Sequence, residues 1–408
     1  MEPLDQHQII VTVNGPGEIS GWLYPFATAL KRRAPELRIC VAVLPYVFAS
    51  GAEVSVVRTI EGIDAVAGVK ETMRYLCGGP LPQGFEKGRP GCLLHFGGEP
   101  FLSFMLARKW RYACLAYIET RENDRPWFAK VYVTDETALP RRSSNGRCAV
   151  VGNMMVDAAW MRAPRRQAPS HPPLTIGIFP GSRTLALKHM LPFCMKVAGL
   201  AAPALPQARW MLAKADYISV AQLKAAAADE DGRMLEGESA RWEEGGPLGY
   251  LVSPRGTRVE IQTSSTVMAE CDLAVTVPGT NTAELAALGV PMLVLLPMHY
   301  PELYPFPGLI GYLHTVPLVG RPLKRSLLLA YFRRVRYMAL PNRKLKREVV
   351  PELSGVFTAE EVAAKLLETV NGPLERVGQE LRAVMGPPGA AERLVDEIMA
   401  YMRRGAPA

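Results

Sequence analysis

The stretch LAVTVPGTNTAELAALGVPMLVLLP (residues 273–297) reads as a strand, a turn, a helix and a second strand. Its first and last segments are apolar runs rich in Val and Leu, typical of strands buried on both faces of a parallel sheet. Pro278 and Gly279 end the first run, and a helical segment rich in Ala and Leu continues to Gly289. This succession is the repeating unit of a doubly wound α/β sheet.

The same alternation extends in both directions along the chain. We predict strands that start near residues 8, 38, 62, 91, 111, 130 and 148, then near 174, 208, 257, 273 and 291. Between the two series lies APRRQAPSHPP (163–173), whose prolines and polar residues favour a linker. The sequence therefore predicts two doubly wound, Rossmann-like domains, 1–162 and 174–355. Helices at 356–408 follow, and we expect them to pack back toward the N-terminal domain.

Composition narrows the class of protein. A chain of 408 residues exceeds one ordinary core, and 49% hydrophobic residues exclude global disorder. The net charge of +8 favours polyanionic partners such as nucleic acid, anionic membranes or phosphorylated substrates. Seven scattered cysteines, no long apolar run and no basic-then-apolar leader pattern at the start predict a reduced, cytoplasmic protein without a spanning helix.

A first phosphate-binding turn is predicted at FPGSR (179–183), where an apolar strand ends and a helix begins. Backbone N–H groups at a helix N-terminus attract phosphate. Gly181 allows the turn, Ser182 offers a hydroxyl, and Arg183 offers a planar fork of donors suited to a diphosphate. The alternative is an ordinary strand–helix turn with a solvated arginine.

A second turn of this kind follows Val277. Gly279 permits close backbone approach to a ligand, and Thr280, Asn281 and Thr282 either cap the helix or bind a phosphate. Glu284, one turn further on, is a natural acceptor for the two hydroxyls of a ribose, and its alternative is a capping-box glutamate. Two such turns in one doubly wound domain predict a nucleotide site.

The chain resembles the lipid-A-disaccharide synthases, which are glycosyltransferases of the GT-B fold. The segments that carry the resemblance occur in the family's order and span nearly the whole chain. They are NGPGEISGW (14–22), VGNMMVDA (151–158), FPGSR (179–183), PGTNTAELAALGVPMLV (278–294) and YMALPNRKLKREVVPEL (337–353). The resemblance implies two Rossmann-like domains facing across a cleft.

The resemblance also implies how a donor is held. A UDP-sugar would bind the second domain, with Arg183 on the diphosphate, Thr280 to Thr282 on the phosphates and Glu284 on the ribose. Asn342 would lie near the donor. We expect neither a cofactor nor a metal, because a helix dipole and side-chain donors suffice to stabilise the leaving UDP.

The first domain departs from the family where the acceptor should bind. Its glycine-rich turn, which we take as the acceptor-side loop, comprises Gly15, Gly17, Ser20 and Gly21. The family's aspartate after this turn is Trp22 here, and its proposed general base lies in a segment reduced to GGEPF (97–101). An inverting transfer needs a group that takes the acceptor's proton. Our first candidate for this base is Glu99 and our second is Glu18, whereas His95 is interpreted as a packed strand residue.

A basic segment completes the sequence features. Residues 321–347 contain ten lysines and arginines and no acid, interleaved with apolar residues. This pattern favours the surface of an anionic membrane, and its alternative is a solvated basic helix over a buried loop. Nucleic acid is not expected, since no nucleic-acid-binding module is recognisable.

We therefore predict an inverting glycosyltransferase that moves an acylated or plain glucosamine-type sugar from UDP to a lipid-linked acceptor. It would act as a peripheral protein at the cytoplasmic face of the membrane. One alternative is a UDP-N-acetylglucosamine 2-epimerase on the same scaffold. Another is a catalytically silent relative that binds a nucleotide sugar or a lipid. A homodimer is one oligomeric state that we consider, and the sequence does not decide it.

Overall fold

The computed structural model describes residues 6–46, 49, 51–140, 146–163, 173–181, 184–228, 235–299 and 320–404. The chain divides into two compact units, one of residues 1–161 and 386–408 and the other of residues 162–385. Each unit is built on its own largely parallel sheet. Among the described helices, none is both long enough and apolar enough to cross a lipid bilayer.

The first unit contains a seven-stranded parallel sheet. Its strands are β1 (Gln8–Val13), β2 (Arg38–Val43), β3 (Ala65–Ala67), β4 (Gly91–His95), β5 (Ala113–Ile118), β6 (Lys130–Val133) and β7 (Cys148–Val150). They are ordered β3-β2-β1-β4-β5-β6-β7, so the chain changes direction across the sheet between β1 and β4. The central strands are completely buried, which explains their continuous apolar sequences.

The helices in the first part of the chain cover both faces of this sheet in the usual crossover arrangement. They are α1 (Pro16–Glu18), a π-helical turn (Ile19–Leu23), α2 (Tyr24–Arg33), α3 (Glu53–Thr59), α4 (Val69–Leu76), α5 (Pro100–Trp110) and α6 (Met154–Arg162). Short 3-10 turns lie at Arg121–Asn123 and Glu136–Ala138.

The second unit contains an eight-stranded sheet. Its strands are β8 (Thr175–Phe179), β9 (Arg209–Lys214), β10 (Arg241–Glu243), β11 (Tyr250–Val252), β12 (Arg258–Thr263), β13 (Leu273–Thr276), β14 (Met292–Pro297) and β15 (Glu352–Gly355). The order is β10-β11-β12-β9-β8-β13-β14-β15. All pairs are parallel except those of the edge strands β10 and β11, whose sequences gave no strand prediction.

The remaining helices follow in chain order. They are α7 (Thr184–Ala201), α8 (Val220–Ala228), α9 (Ser264–Glu270), α10 (Thr280–Leu288), α11 (Gly320–Arg334), α12 (Leu340–Leu345), α13 (Ala359–Val370), α14 (Leu374–Met385) and α15 (Ala390–Arg403), with a 3-10 turn at Ala202–Ala204. The two doubly wound sheets confirm the predicted α/β class.

The C-terminal helices do not all pack as expected, since we predicted that residues 356–408 pack back toward the N-terminal domain. Helix α13 packs on α7 and α14 packs on α10, so both belong to the second unit. The apolar periodicity of residues 373–403 is that of one helix, yet the structure interrupts it between α14 and α15, because Gly386 and Gly389 adopt φ angles of +83° and +100°. Only α15 returns to the first unit, where it packs on α2.

Helix α15 is fastened through the segment VGNMMVDA. The buried carboxylate of Asp157 accepts hydrogen bonds from the backbone N–H groups of Gly389 and Ala391, at the N-terminus of α15. The guanidinium of Arg393 donates to the carbonyl of Val151 at 2.7 Å. One motif of the resemblance therefore serves the attachment of the last helix.

Candidate active site

The two predicted phosphate-binding turns lie side by side. Strands β8 and β13 pair in parallel, with Phe179 opposite Thr276 at their carboxyl ends. Strand β9 lies on the other side of β8, so β8 and β13 flank the point where the strand order changes direction. In open α/β sheets, ligands bind at the carboxyl edge at this point. Gly181 and Gly279, which follow the two strands, are therefore at the place where this fold binds ligands.

The turn after β13 presents open backbone. A Cβ atom built on Gly279 would meet no described atom within 4 Å, so the space beside it is free of side chains. Gly279 is the N-cap of α10, and no side chain caps this helix end. The side chain of Thr280 is exposed and that of Asn281 is half-buried. Neither side chain forms a hydrogen bond with another described residue. Unpaired N–H groups in the first turn of α10 suit a phosphate.

Thr282 has a different role from the one we predicted. Its side chain is buried, and its hydroxyl donates a 2.8 Å hydrogen bond to the carbonyl of Gly279. A hydroxyl has one proton to donate, so this donor is no longer available to a phosphate. Thr282 therefore stabilises the turn, and the donors that remain for a ligand are those of Thr280 and Asn281.

Glu284 is a buried carboxylate with few polar partners. It is 8% exposed, and no described donor hydrogen-bonds to it. Its ion-pair partner is Arg162, the first residue of the second unit, at 3.7 Å. Burial raises the pKa of Glu284 above its usual value, Arg162 acts against this rise, and Asp216 adds to it. The capping-box alternative is wrong, since the carboxylate does not bond to the N-terminus of α10.

The turn after β8 is only partly described. Gly181 has a φ angle of +104°, a left-handed conformation that favours glycine and explains its place before α7. Ser182 and Arg183 lie outside the described residues, so their roles as phosphate ligands stay predictions.

Asn342 does not have a free side chain for a donor. It is fully buried at the start of α12, and its Nδ2 donates to the carbonyl of Val350 and to Glu352. Its Oδ1 accepts from the N–H groups of Val349 and Val350. These four bonds use the whole hydrogen-bonding capacity of a carboxamide. The structure therefore gives the Asn342 side chain a role in holding α12 against β15, and its place near the donor stays a prediction.

In the first unit, Glu18 occupies the corresponding position after β1. This strand pairs with β4, and the N–H of Gly97 donates to the carbonyl of Thr12 at 3.1 Å. A Cβ atom on Gly15 would lie 3.1 Å from Glu18 Oε2, and one on Gly97 would lie 2.8 Å from Glu18 Cγ. Two glycines therefore make room for the half-buried side chain of Glu18. Burial raises its pKa above the usual value, and its own backbone N–H opposes the rise.

Glu99, our first candidate for the base, is placed less favourably. It is the N-cap of α5, its side chain is exposed, and it caps no N–H of the helix. A general base must be held in place beside the proton that it takes, and no described side-chain contact holds the Glu99 carboxylate. The structure therefore ranks Glu18 ahead of Glu99.

The remaining acceptor-side residues contribute mainly to packing. A Cβ atom on Gly21 would lie 3.0 Å from Met155 Cγ, so Gly21 allows the π-helical turn to approach α6. Gly17 and Ser20 are half-buried in α1 and the π-helical turn. Trp22 packs edge-on against Phe96 and Tyr117, at centroid distances of 6.3 and 5.3 Å. At this position the chain thus has an aromatic core residue in place of the family's aspartate.

His95 is a packed residue of the sheet. Its Nδ1 lies 2.8 Å from the hydroxyl of Ser103 and 3.4 Å from that of Thr12, and its ring stacks on Phe128. Burial lowers the pKa of His95 to about 4, with a further contribution from Arg125. The side chain is therefore neutral at physiological pH and poorly suited to take a proton.

Three residues of these sites were not singled out in the sequence. Arg162 and Asp216 act on Glu284 but lie far from it along the chain, outside any motif. Asn14 is buried at the end of β1, and its Oδ1 has no hydrogen-bond partner among the described residues. Its position directly after a strand was the only available indication. In the described part of the chain, no group of His, Cys, Asp or Glu residues is arranged to hold a metal ion.

Comparison with known sequences places the chain near one family. No protein-family model matches it. The lipid-A-disaccharide synthase of Syntrophus aciditrophicus is 26% identical over 225 residues, which make up 54% of this chain and 47% of that protein. The chain spans about half the length of the curated relatives it matches. These matches confirm the resemblance that the motifs indicated.

Solved structures match over a greater length but share less sequence. S. aureus MnaA, solved with UDP, has a TM-score of 0.56, 13% identity and coverage of 98% of this chain and 99% of that one. The UDP-GlcNAc 2-epimerase of Neisseria meningitidis bound to UDP-GlcNAc has a TM-score of 0.52 and 13% identity, covering 96% and 100%. The chain therefore has the two-domain GT-B fold and is similar, over about half of its length, to the lipid-A-disaccharide synthases.

Proposed function

We propose that the chain is an inverting glycosyltransferase that binds a UDP-sugar at the carboxyl edge of the second sheet. The observation that carries this proposal is the pairing of β8 with β13, because it aligns two glycine turns beside the uncapped N-terminus of α10. The relatives named lipid-A-disaccharide synthase and the neighbours bound to UDP or UDP-GlcNAc support the same ligand class.

The donor would be held by complementary contacts. The diphosphate would lie at the N-terminal turn of α10, where Thr280 and Asn281 offer free donors, with Gly181 and Arg183 on the neighbouring turn. The ribose hydroxyls would donate to Glu284, a buried acceptor whose lone pairs are otherwise unused by hydrogen bonds. A ligand whose hydroxyls donate to Glu284 offsets part of the free energy that burying the carboxylate costs. Such a ligand would bind more tightly than one without these hydroxyls, so the site would select for ribose.

The acceptor would be activated in the first unit by Glu18. The carboxylate takes the proton of the acceptor hydroxyl while the oxygen attacks the anomeric carbon. The bond between that carbon and the diphosphate oxygen breaks, and UDP leaves with the electron pair. A raised pKa increases the affinity of Glu18 for the proton that it must accept. The positive end of α10 stabilises the charge that develops on the leaving diphosphate.

For the substrates, we propose a UDP-linked glucosamine-type sugar as donor and a lipid-linked hydroxyl as acceptor. The curated relatives support this choice by their names. A lipid-linked acceptor would place the reaction at the cytoplasmic membrane surface.

The test of the proposal is UDP release from UDP-N-acetylglucosamine and its acylated forms, with and without a lipid extract. Release that requires lipid, with a glycosylated lipid as product, supports the transferase. Binding of UDP without any turnover would support a silent relative and contradict the proposed reaction.

A 2-epimerase is the second candidate, because both structural neighbours described above are similar over nearly the whole chain. His299 follows β14 at the same sheet edge as the two turns, and its Nδ1 is buried without a described hydrogen-bond partner. A histidine there could take part in proton exchange at carbon 2. Conversion of UDP-N-acetylglucosamine to its 2-epimer without lipid would establish this activity and replace the transferase proposal.

A further inference from the structure

Helix α11 presents an apolar stripe to solvent. Leu323 and Leu327 are 44% and 39% exposed, which is unusual for leucines in a packed helix. Positions 323, 327, 330 and 334 follow the helical spacing i, i+4, i+7 and i+11, and all four are exposed. Lys324 and Leu328 lie on another face of the helix and are buried. The helix therefore has a buried face and, among its described side chains, a second face that is exposed and mostly apolar.

The charge around this stripe is uniformly positive. Arg334 ends the stripe, Arg336 follows it in the chain, and both are exposed. Neither of these two guanidinium groups pairs with a described carboxylate. Exposed arginines elsewhere do find partners, for example Arg32 with Glu392 and Arg33 with Asp396. The sequence between 321 and 347 contains no acid, and Arg347 at its end pairs with Glu380 from another helix, so Arg334 and Arg336 keep their charge without a described ion-pair partner.

We infer that the exposed face of α11, Leu323–Leu327–Ala330–Arg334, together with Arg336 just after it, is a docking surface for an anionic lipid bilayer. Leucine side chains gain free energy when they leave water for the acyl region, and arginines at the edge bind lipid phosphates. The inference assigns the contact to one face of one helix. It goes beyond the proposed reaction and holds whether or not the protein transfers a sugar.

Two other occupants fit the stripe less well. A second copy of this chain related by a twofold axis would place the same patch against itself and bring uncompensated arginines together. Nucleic acid would pair with the arginines but would leave the two leucines in water. A bilayer with anionic headgroups satisfies both the charges and the apolar side chains.

The test is co-sedimentation of the full-length protein with vesicles of phosphatidylcholine alone or mixed with phosphatidylglycerol. We expect binding to the mixed vesicles and weak binding to the neutral ones. Leu323→Gln with Leu327→Gln should weaken binding about tenfold, because apolar burial is lost. Arg334→Gln with Arg336→Gln should weaken it about 30-fold at low salt, and much less at high salt where charges are screened.

The matched control is Val356→Gln, which removes a 77% exposed apolar side chain from the same unit but not from α11. It should leave vesicle binding unchanged. Unfolding curves check that all variants keep the native fold. The inference is overturned if the mixed vesicles do not bind the wild-type protein, or if the control weakens binding as much as the leucine pair. Loss of a dimer in sedimentation velocity on changing the leucines, with vesicle binding retained, would instead identify the stripe as a subunit contact.

Discussion

Asn342 donates a 2.6 Å hydrogen bond to the carboxylate of Glu352, and this bond joins the two ends of the segment YMALPNRKLKREVVPEL. The same carboxylate accepts from the N–H groups of Met338 and Ala339, at 2.7 and 3.0 Å. The pair thus fastens the N-terminus of α12 to the edge strand β15. A motif that the resemblance linked to the donor is, in this chain, a structural connection.

The first prediction concerns Asn342→Ala. The change leaves Glu352 and the backbone groups of Val349 and Val350 with lost partners, so we expect a loss of about 2–4 kcal/mol in stability. Denaturant unfolding measures this loss. Affinity for UDP should stay within about twofold of wild type in native conditions, since ~0.4 kcal/mol is the usual size of an indirect effect. The control is Asn371→Ala, an exposed asparagine at the end of α13, which should cost much less. A large loss of UDP affinity with unchanged stability would show instead that Asn342 contributes to the donor site.

The second prediction concerns Glu284→Gln. Removing the charged acceptor should weaken UDP binding by about ten- to a hundredfold, the range of a hydrogen bond to a charged group. Calorimetric titration measures the affinity, and 2′-deoxy-UDP serves as a control ligand, because the variant should discriminate less against it. Unchanged UDP affinity would exclude Glu284 from the ribose site.

The same variant should not be less stable than wild type. The folded-state pKa of Glu284 is raised, so the folded protein holds this proton more tightly than the unfolded chain does. Stability from this group is present at low pH and is lost as the pH rises from the usual carboxyl pKa through the raised one. At neutral pH the ionised side chain is therefore a cost, which glutamine removes. Thermal unfolding at pH 5 and pH 7.5 checks this: the stability gained in the variant should be larger at pH 7.5.

The third prediction separates the two candidate bases. Glu18→Gln should lower the turnover of UDP release by about 10²- to 10⁴-fold, the usual contribution of a positioned general base, with UDP affinity kept. Glu99→Gln should retain most of the turnover, because that carboxylate is exposed. Since burial raises the pKa of Glu18, the acid limb of the turnover profile should lie above the range of a free carboxyl group. The reverse ranking of the two variants would restore Glu99 as the base.

The fold and the donor turns could be predicted because their signals are local. A buried parallel strand is a short apolar run, and the turn into the next helix often contains glycine. The positions of Gly181 and Gly279 directly after such runs therefore indicated the two turns. Strands β10, β11 and β15 were not predicted, because each has only three or four residues and lies among polar, glycine or proline residues that do not form an apolar run. The break between α14 and α15 had its own signal in Gly386-Pro387-Pro388-Gly389, which the apolar periodicity on either side concealed.

The chemistry of individual side chains depended on contacts that the sequence does not display. Glu284 could be proposed from its place one turn into α10, but its burial and its pairing with Arg162 come from distant parts of the chain. Glu18 and Glu99 are both carboxylates beside glycines, and from the sequence we placed Glu99 first. Their exposure distinguishes them, and exposure is a property of tertiary packing.

The fourth prediction concerns the pH dependence of the first unit. His95 has a folded-state pKa of about 4, below the usual 6.5, so the unfolded chain binds its proton first as the pH falls. The contribution of neutral His95 to the free energy of unfolding is fully present above the pKa of the unfolded state. It is lost as the pH falls from 6.5 to about 4, by up to about 1.4 kcal/mol per pH unit. Urea unfolding at several pH values measures this slope. In His95→Gln the contribution should disappear, while an unchanged slope would assign the effect to other groups.

The last prediction tests whether Gly97 makes room for the base. In Gly97→Ala, the new Cβ atom would lie 2.5 Å from Asn14 Oδ1 and 2.8 Å from Glu18 Cγ, so at least one of these side chains must move. We expect turnover to fall by about 10²-fold, because a displacement of about 1 Å is enough to disturb a positioned catalytic group. UDP affinity should not change, since the proposed donor contacts lie in the second unit. Gly68→Ala is the control, because a Cβ atom there meets its nearest neighbour at an ordinary 3.4 Å. Adding Asn14→Ala to Gly97→Ala removes the closer of the two contacts and should recover part of the turnover. If the single variant were as active as wild type, the space that Gly97 provides would not be needed for turnover, and this prediction would be wrong.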